Sequence, residues 1–141
     1  MNKPKELDAT LLEELRGRLG DRITTSRGVR EHHGRDESYY PYALPDAVAF
    51  PHSTEEVRDI VNVCRLHKAP IIAFGVGTSL EGHVLATSGG VCVDLSQMNK
   101  ILAVREADLD ATVQAGVTRK DRKSTRLNSS HSDRSRMPSS A

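Results

Sequence analysis

Ala69-Pro70-Ile71-Ile72-Ala73-Phe74 runs without a break into Gly75-Val76-Gly77-Thr78-Ser79-Leu80-Glu81-Gly82-His83. The apolar half, rich in β-branched residues and closed by glycine, reads as a buried strand. Gly75 and Gly77 at its exit allow positive φ and close approach of a ligand to the backbone. Successive amides in such a turn converge into an anion-binding nest, and Thr78 and Ser79 add hydroxyl donors without bulk. Phosphate oxygens suit that geometry because several neutral donors offset their charge without a lysine. By spacing alone, a plain strand-connecting turn remains the alternative. Two familiar phosphate motifs are excluded. Gly77 and Gly82 have the gap of a P-loop, but His83-Val84 replaces its Lys-Ser/Thr pair. Leu80 stands where a Rossmann fingerprint needs its third glycine, and no helical pattern follows.

Upstream, Ala47-Val48-Ala49-Phe50 is a short apolar run that ends at Pro51, a strand. Ser53-Thr54-Glu55-Glu56 is a capping box that opens a helix running to about His67. Its expected apolar stripe is Val57, Ile60, Val61 and Cys64, which makes Cys64 a core residue. Residues 8–19 predict an earlier helix, capped by Asp8, striped by Leu11, Leu12, Leu15 and Leu19, and stopped at Gly20. Residues 26–42 read as polar and irregular. Within them His32 and His33 are adjacent, so they cannot share a helix face, and solvent exposure is expected for both. The cluster Tyr39-Tyr40-Pro41-Tyr42 is expected to pack against the domain edge, a ligand pocket being the alternative. Downstream of the glycine loop, Val91-Cys92-Val93-Asp94-Leu95, residues 101–104 and residues 111–114 read as strands, the last two separated by the acidic stretch 106–110. Short strands around one well-defined helix, preceded by a helical amino-terminal segment, make an α+β pattern.

The chain has 141 residues, enough for one domain, and carries 20 basic and 19 acidic side chains. A net charge of +1 excludes a strongly polybasic nucleic-acid binder on charge alone. No apolar run approaches the roughly 18 residues that span a bilayer, so no transmembrane segment is expected. Met1-Asn2-Lys3-Pro4-Lys5-Glu6 lacks the apolar core of a secretory signal. Cys64 and Cys92 form no CxxC pair and read as reduced core thiols, which favours a cytoplasmic protein. No metal-ligand spacing is present, and no metal is expected.

The average hides a seam near position 120. Residues 121–141 hold seven serines, with five basic and two acidic side chains. Removing them leaves 15 basic against 17 acidic in the body, a net charge of −2. Such a tail can be read as a disordered arm for nucleic acid or acidic membrane. It also resembles, in two blocks in the right order (121–131 and 134–141), the translation of a sequencing adapter, and such scars stand outside fold reasoning. The tail is expected to make no stable contact with the body, because it cannot bury enough apolar surface to offset chain ordering. The expected division is therefore 1–41, a helical and irregular segment; 42–120, the main domain, cut short; and 121–141, artefactual or disordered.

As an ordered set, the motifs resemble the FAD-binding domain of the p-cresol methylhydroxylase and vanillyl-alcohol oxidase family. They are Pro45-Asp46-Ala47-Val48, Pro51 with Ser53-Thr54-Glu55-Glu56-Val57, Pro70-Ile71, and Gly75 through His83. Gly90-Val91, Asp94-Leu95-Ser96-Gln97-Met98-Asn99 and Val113-Gln114-Ala115-Gly116-Val117-Thr118 continue the match. Within that family the chain looks similar to FAD-linked D-lactate dehydrogenases, since Ser79-Leu80-Glu81-Gly82-His83 replaces the richer glycine of the glycolate oxidase flavin subunit.

The resemblance implies the first half of such a domain. Phe74, Gly75, Val76, Gly77, Thr78, Ser79 and Leu80 would wrap the FAD pyrophosphate, mostly by main-chain amides. Gly82 and His83 would follow near the flavin, and Gly116 would lie close to the dinucleotide. The implied reaction oxidises a D-2-hydroxy acid and passes electrons to a cytochrome, a quinone carrier or another acceptor, with possible membrane association. Thr78 stands where covalent flavoproteins of the family often carry histidine, so non-covalent FAD is expected. His83 reads as structural or flavin-adjacent, a catalytic base being the alternative. No residue here matches the family's catalytic groups, which lie further along. The chain by itself is therefore expected to be inactive and a weak flavin binder, with apolar strands such as Val91-Cys92-Val93-Asp94-Leu95 left uncovered. The rival readings are a glycolate oxidase subunit and a non-catalytic flavin- or nucleotide-binding module.

Overall fold

The computed structural model describes residues 7–121 and 123. Helix α1 (Ala9–Leu19) starts where Asp8 accepts the Thr10 amide at 3.0 Å and stops at Gly20, whose φ is 60°. A 3₁₀ turn (Gly20–Arg22) leads to the short strand β1 (Ile23–Thr24) and then to α2 (Arg27–His33). Strand β2 (Ala47–Ala49), helix α3 (Thr54–Leu66) and strand β3 (Ile71–Phe74) follow. Strand β4 (Val91–Asp94) completes a four-stranded sheet in the order β1-β2-β4-β3. Strands β2 and β3 both pair parallel to β4, and β1 is antiparallel to β2. A separate hairpin joins β5 (Ile101–Arg105) to β6 (Asp110–Val113), with a register irregularity between Ile101 and Ala103. The α+β class expected from the sequence is the class observed. Strand β1 and helix α2 were not anticipated.

Side-chain alternation sorts the sheet into two faces. Ala47, Ala49, Val91 and Val93 point to a core built with Leu11, Leu15 and Leu19 of α1 and Ile60, Val63 and Cys64 of α3. Val48, Cys92 and Phe74 point the other way, into a smaller core with Val84, Val29 and Phe50. A parallel strand covered on both faces reads as a continuous apolar run, and Val91-Cys92-Val93 does. The sequence reading left β4 uncovered; instead its four residues are all buried, because α1 and α3 cover one face and α2 with residues 84–86 cover the other. The uncovered apolar side chains lie on edge strand β3, at Ile71, and on the hairpin, at Leu102, Val104 and Val113. Strand β3 is thus half-exposed rather than buried, since α1 and α3 stand over β2 and β4. Cys64 is core as expected, but Val61 is exposed and Val63 takes its place, a rotation of the buried face of α3.

The capping box forms in part. The Ser53 hydroxyl accepts the Glu56 amide at 3.3 Å. The Glu56 carboxylate, however, takes the His52 amide at 2.7 Å and a two-pronged bond from Arg22 at 2.5 and 2.6 Å. This ties the turn before β1 to the start of α3. Hydrogen bonds from Arg22 outweigh burial and hold the Glu56 carboxyl at about 2. Its folded value is depressed, so its stabilisation is complete above the ordinary 4.5 and is lost as pH falls towards 2. Glu56→Gln is expected to cost about 1 kcal/mol at neutral pH, given partial exposure. The difference from wild type should shrink as pH falls from 4.5 and vanish only below about 2, where the Glu56 carboxyl is protonated in the folded chain too. Urea unfolding at both pH values checks this; a difference that persists in acid rules out the ion pair as its source.

Thr118 and Asp121 exchange bonds: the Thr118 hydroxyl and amide donate to the Asp121 carboxylate, at 2.6 and 3.1 Å. The tail therefore touches the body at its first residue. Apart from Asp121 and Lys123, the expectation for 121–141 lies outside the described residues.

Candidate functional site

Because β3 and β4 run parallel, their carboxyl ends lie side by side, and the Leu95 amide donates to the Phe74 carbonyl at 3.0 Å. The crevice at the carboxyl ends of parallel strands is where open sheets place ligands. Residues 75–83 leave the sheet at that edge. Gly77 has φ 71°, and a Cβ there would come within 2.7 Å of the Phe74 ring, so the loop rests directly on that ring. Gly82 has φ 74° and is pressed against the Tyr40 ring in the same way. Gly75 differs from the expectation. Its φ is not positive, and a Cβ there would meet nothing within 4 Å. Among the described residues, neither the turn nor the packing requires glycine at 75. A group approaching from outside would.

Among the described residues, no amide from 75 to 80 donates to a protein acceptor, and the Thr78 hydroxyl has no partner. The Ser79 hydroxyl accepts the Glu81 amide and lies 3.2 Å from His83 Nδ1. His83 is exposed, as are Val76 and Leu80. Residues 84–86 anchor the far end of the loop, buried and held by the Ala86 amide on the Ala43 carbonyl. Gly116 reaches the same edge from the hairpin. Its amide donates to the Met98 carbonyl at 2.9 Å, and a Cβ would fall 1.8 Å from the Leu95 oxygen. Phe74, the glycine loop and Gly116 are therefore gathered at one edge, with Leu95 between the loop's root and Gly116. A row of free amides, two small hydroxyls and open space beside a glycine fit a phosphate-bearing cofactor. Among the described residues no group of three or more metal-ligating side chains is present.

Two corrections concern aromatic and basic residues. Tyr39 is fully exposed, and Tyr40 and Tyr42 line a hollow of about 440 Å³ with Glu81, Gly82 and Leu85 instead of packing away at the domain edge. His32 is exposed, but His33 is buried at 4% exposure, beside the equally buried Asp94. Its Nε2 lies 2.7 Å from Asp94 Oδ2 and its Nδ1 2.8 Å from the Val29 carbonyl oxygen. The Val29 carbonyl can only accept, so Nδ1 donates to it, and protonation of Nε2 lets the ring donate to the Asp94 carboxylate as well. Burial opposes that charge, but bonds to Asp94 and Val29 outweigh it and hold the His33 pKa above its ordinary value. Burial likewise opposes the Asp94 carboxylate, and bonds from His33 and Ser96 bring its pKa below the usual range. The signal for this pair was the alternation in β4, which puts Asp94 on the inward face of Cys92, where a charge demands a partner. Burial pushes the Cys64 and Cys92 thiols up to about 11 and about 12, and both cysteines are free.

These features suit a phosphate-bearing ligand at the sheet edge, and comparison with known proteins names the class. The family model described as FAD binding domain matches residues 45–123, more than half of the chain. The chain belongs to that family, and its cofactor is FAD. It is 44% identical over 111 residues to "Probable D-lactate dehydrogenase, mitochondrial" of Danio rerio, covering 78% of this chain and 22% of that protein. To "D-lactate dehydrogenase [cytochrome], mitochondrial" of Arabidopsis thaliana it is 39% identical over 115 residues, covering 80% and 20%. The chain thus spans about a fifth of the length of these curated relatives. A crystal structure of p-cresol methylhydroxylase with substrate bound superposes with a TM-score of 0.75 at 22% identity, over 86% of this chain and 24% of that one. That likeness shows the fold.

Proposed function

We propose that this chain is the amino-terminal part of an FAD-dependent oxidoreductase that converts a D-2-hydroxy acid, D-lactate first among them, to the 2-oxo acid. The observation that carries the reading is the run of unshared amides from 75 to 80 at the carboxyl edge of the parallel strands. In this reading the amides of residues 75–80 and the Thr78 and Ser79 hydroxyls donate to the pyrophosphate, with Phe74 beneath them as the end of β3. Gly75 leaves room for its approach, and Gly82, His83 and Gly116 border the site. Bound FAD supplies the two-electron acceptor that no side chain here can provide. The loop holds and orients it without a positive side chain, and Thr78 offers no imidazole for covalent attachment. Electrons leave to a cytochrome, a quinone or another acceptor; the cytochrome in the name of the Arabidopsis relative supports the first. The residues that select the substrate are not among those described, so the isolated chain is inactive in this reading. The free buried thiols favour a reducing compartment, the cytoplasm in the first instance, and the mitochondrial names of both relatives make the mitochondrion the rival.

The test is Gly75→Val in the full-length protein that carries this sequence. Open space at 75 predicts unfolding stability without FAD within about 0.5 kcal/mol of wild type. FAD affinity, followed by flavin fluorescence, should fall at least about tenfold, or 1.4 kcal/mol. Unchanged affinity would remove the loop from the cofactor site. Turnover of D-lactate against glycolate then decides the substrate.

A further inference from the structure

His33 ends α2, outside the stretch matched by the family model, yet it is the side chain that supports the floor of the glycine loop. Its ring centroid lies 4.5 Å from that of Phe74, at an interplanar angle of 50°. The Phe74 ring is the surface against which Gly77 sits, close enough that one added carbon would collide with it. The ring of Phe50 also meets His33, in a T-shaped contact with centroids 5.8 Å apart. Hydrogen bonds at both nitrogens leave the His33 ring no freedom to turn: Val29 holds one end from its own helix, and Asp94 holds the other from β4. Asp94 is fixed in turn by the Ser96 amide on Oδ1 at 2.8 Å, in the turn that leaves β4. A ring clamped at both ends and laid against a second aromatic ring holds that ring in one place. The contacts run from α2 through His33 and Phe74 to Gly77, and from His33 through Asp94 to the start of the turn at Ser96.

We infer that His33 is a positioning residue for the FAD-binding loop: clamped between the Val29 carbonyl and the Asp94 carboxylate, it fixes the Phe74 ring as the platform that sets the conformation of residues 75–79. The inference rests on the proposed role of the loop, but its first measurement does not. Amide 15N relaxation on the 141-residue chain, wild type against His33→Gln, reads the loop without any flavin. Order parameters at Gly75, Val76, Gly77, Thr78 and Ser79 should fall from rigid-backbone values to below about 0.6, while Leu15 of α1 and Ile60 of α3, in the core on the opposite face of the sheet, keep theirs. The double variant His33→Gln/Asp94→Asn, which restores a neutral bonded pair in the same place, should recover most of the order. Equal loop order parameters in wild type and variant overturn the inference. So does a uniform fall that includes α1 and α3, which is loss of fold and not of position. FAD affinity of the full-length His33→Gln variant then tests the link to the cofactor, with at least a fivefold loss expected. A loosened loop with unaltered FAD affinity leaves the positioning role standing and overturns the assignment of the loop to FAD.

Discussion

Asp94→Ala is expected to destabilise the chain by about 3–5 kcal/mol at neutral pH, the usual cost of removing one partner from a buried charge pair. Asp94 and His33 are 6% and 4% exposed, so water cannot replace the lost carboxylate. The pH dependence should also change sign. In the wild type, the raised His33 pKa gives stabilisation that is complete below the ordinary 6.5 and is lost as pH rises through the folded value. The lowered Asp94 pKa gives stabilisation that is complete above the ordinary 3.8 and is lost as pH falls through its folded value. The pair thus contributes most between the two. Without Asp94, burial dominates and the His33 pKa drops below its ordinary value. Stability of the variant should then rise with pH through about 6.5, where that of the wild type is level before it declines. Urea titrations between about pH 5 and 9 and the imidazole chemical shift of His33 measure both effects. Equal slopes in the two chains would mean that the pair is not ionised.

Gly90→Ala should cost about 3 kcal/mol, through two causes that act together. Gly90 has φ 99°, a conformation costly for any other residue, and a Cβ would stand 2.3 Å from the Pro70 carbonyl oxygen. That oxygen accepts the Val91 amide at 2.9 Å, at the start of the pairing between β3 and β4, so relief of the collision breaks the bond. The Gly90 amide is also bound, at 2.6 Å, to Asp46 before β2. Displacement therefore spreads to both neighbours of β4. Gly17→Ala in α1 is the control, because a Cβ there meets nothing within 4 Å; it should be stabilising by up to about 1 kcal/mol. Guanidinium unfolding of both variants measures the contrast. A loss at Gly90 below about 1 kcal/mol would show that the backbones do not approach so closely.

Local chemistry made much of this molecule readable in advance. Asp8 and Gly20 bound α1 because caps act within one turn of the residues they satisfy. Ser53 opens α3 for the same reason, and Val91-Cys92-Val93 announces a strand, though its cover on both faces came only with the packing of the helices. The glycine loop declared itself through residue types that suit a turn around phosphate wherever they occur. Long-range pairing decided the rest. Glu56 turns to Arg22, which lies 34 positions away, and His33 meets Asp94 across 61 positions. No local pattern encodes those distances. Beside His32 in a polar stretch, His33 reads as a surface residue until the sheet brings a carboxylate to it. The same assembly settles which glycine serves which end. Gly77 is needed by the Phe74 ring beneath it, Gly90 by a neighbouring strand, and Gly116 by a carbonyl on another turn, while Gly75 is needed by nothing among the described residues. Residue chemistry set what each segment could do, and only the parallel arrangement of β2, β4 and β3, which carries remote segments to one edge, decided what each side chain touches.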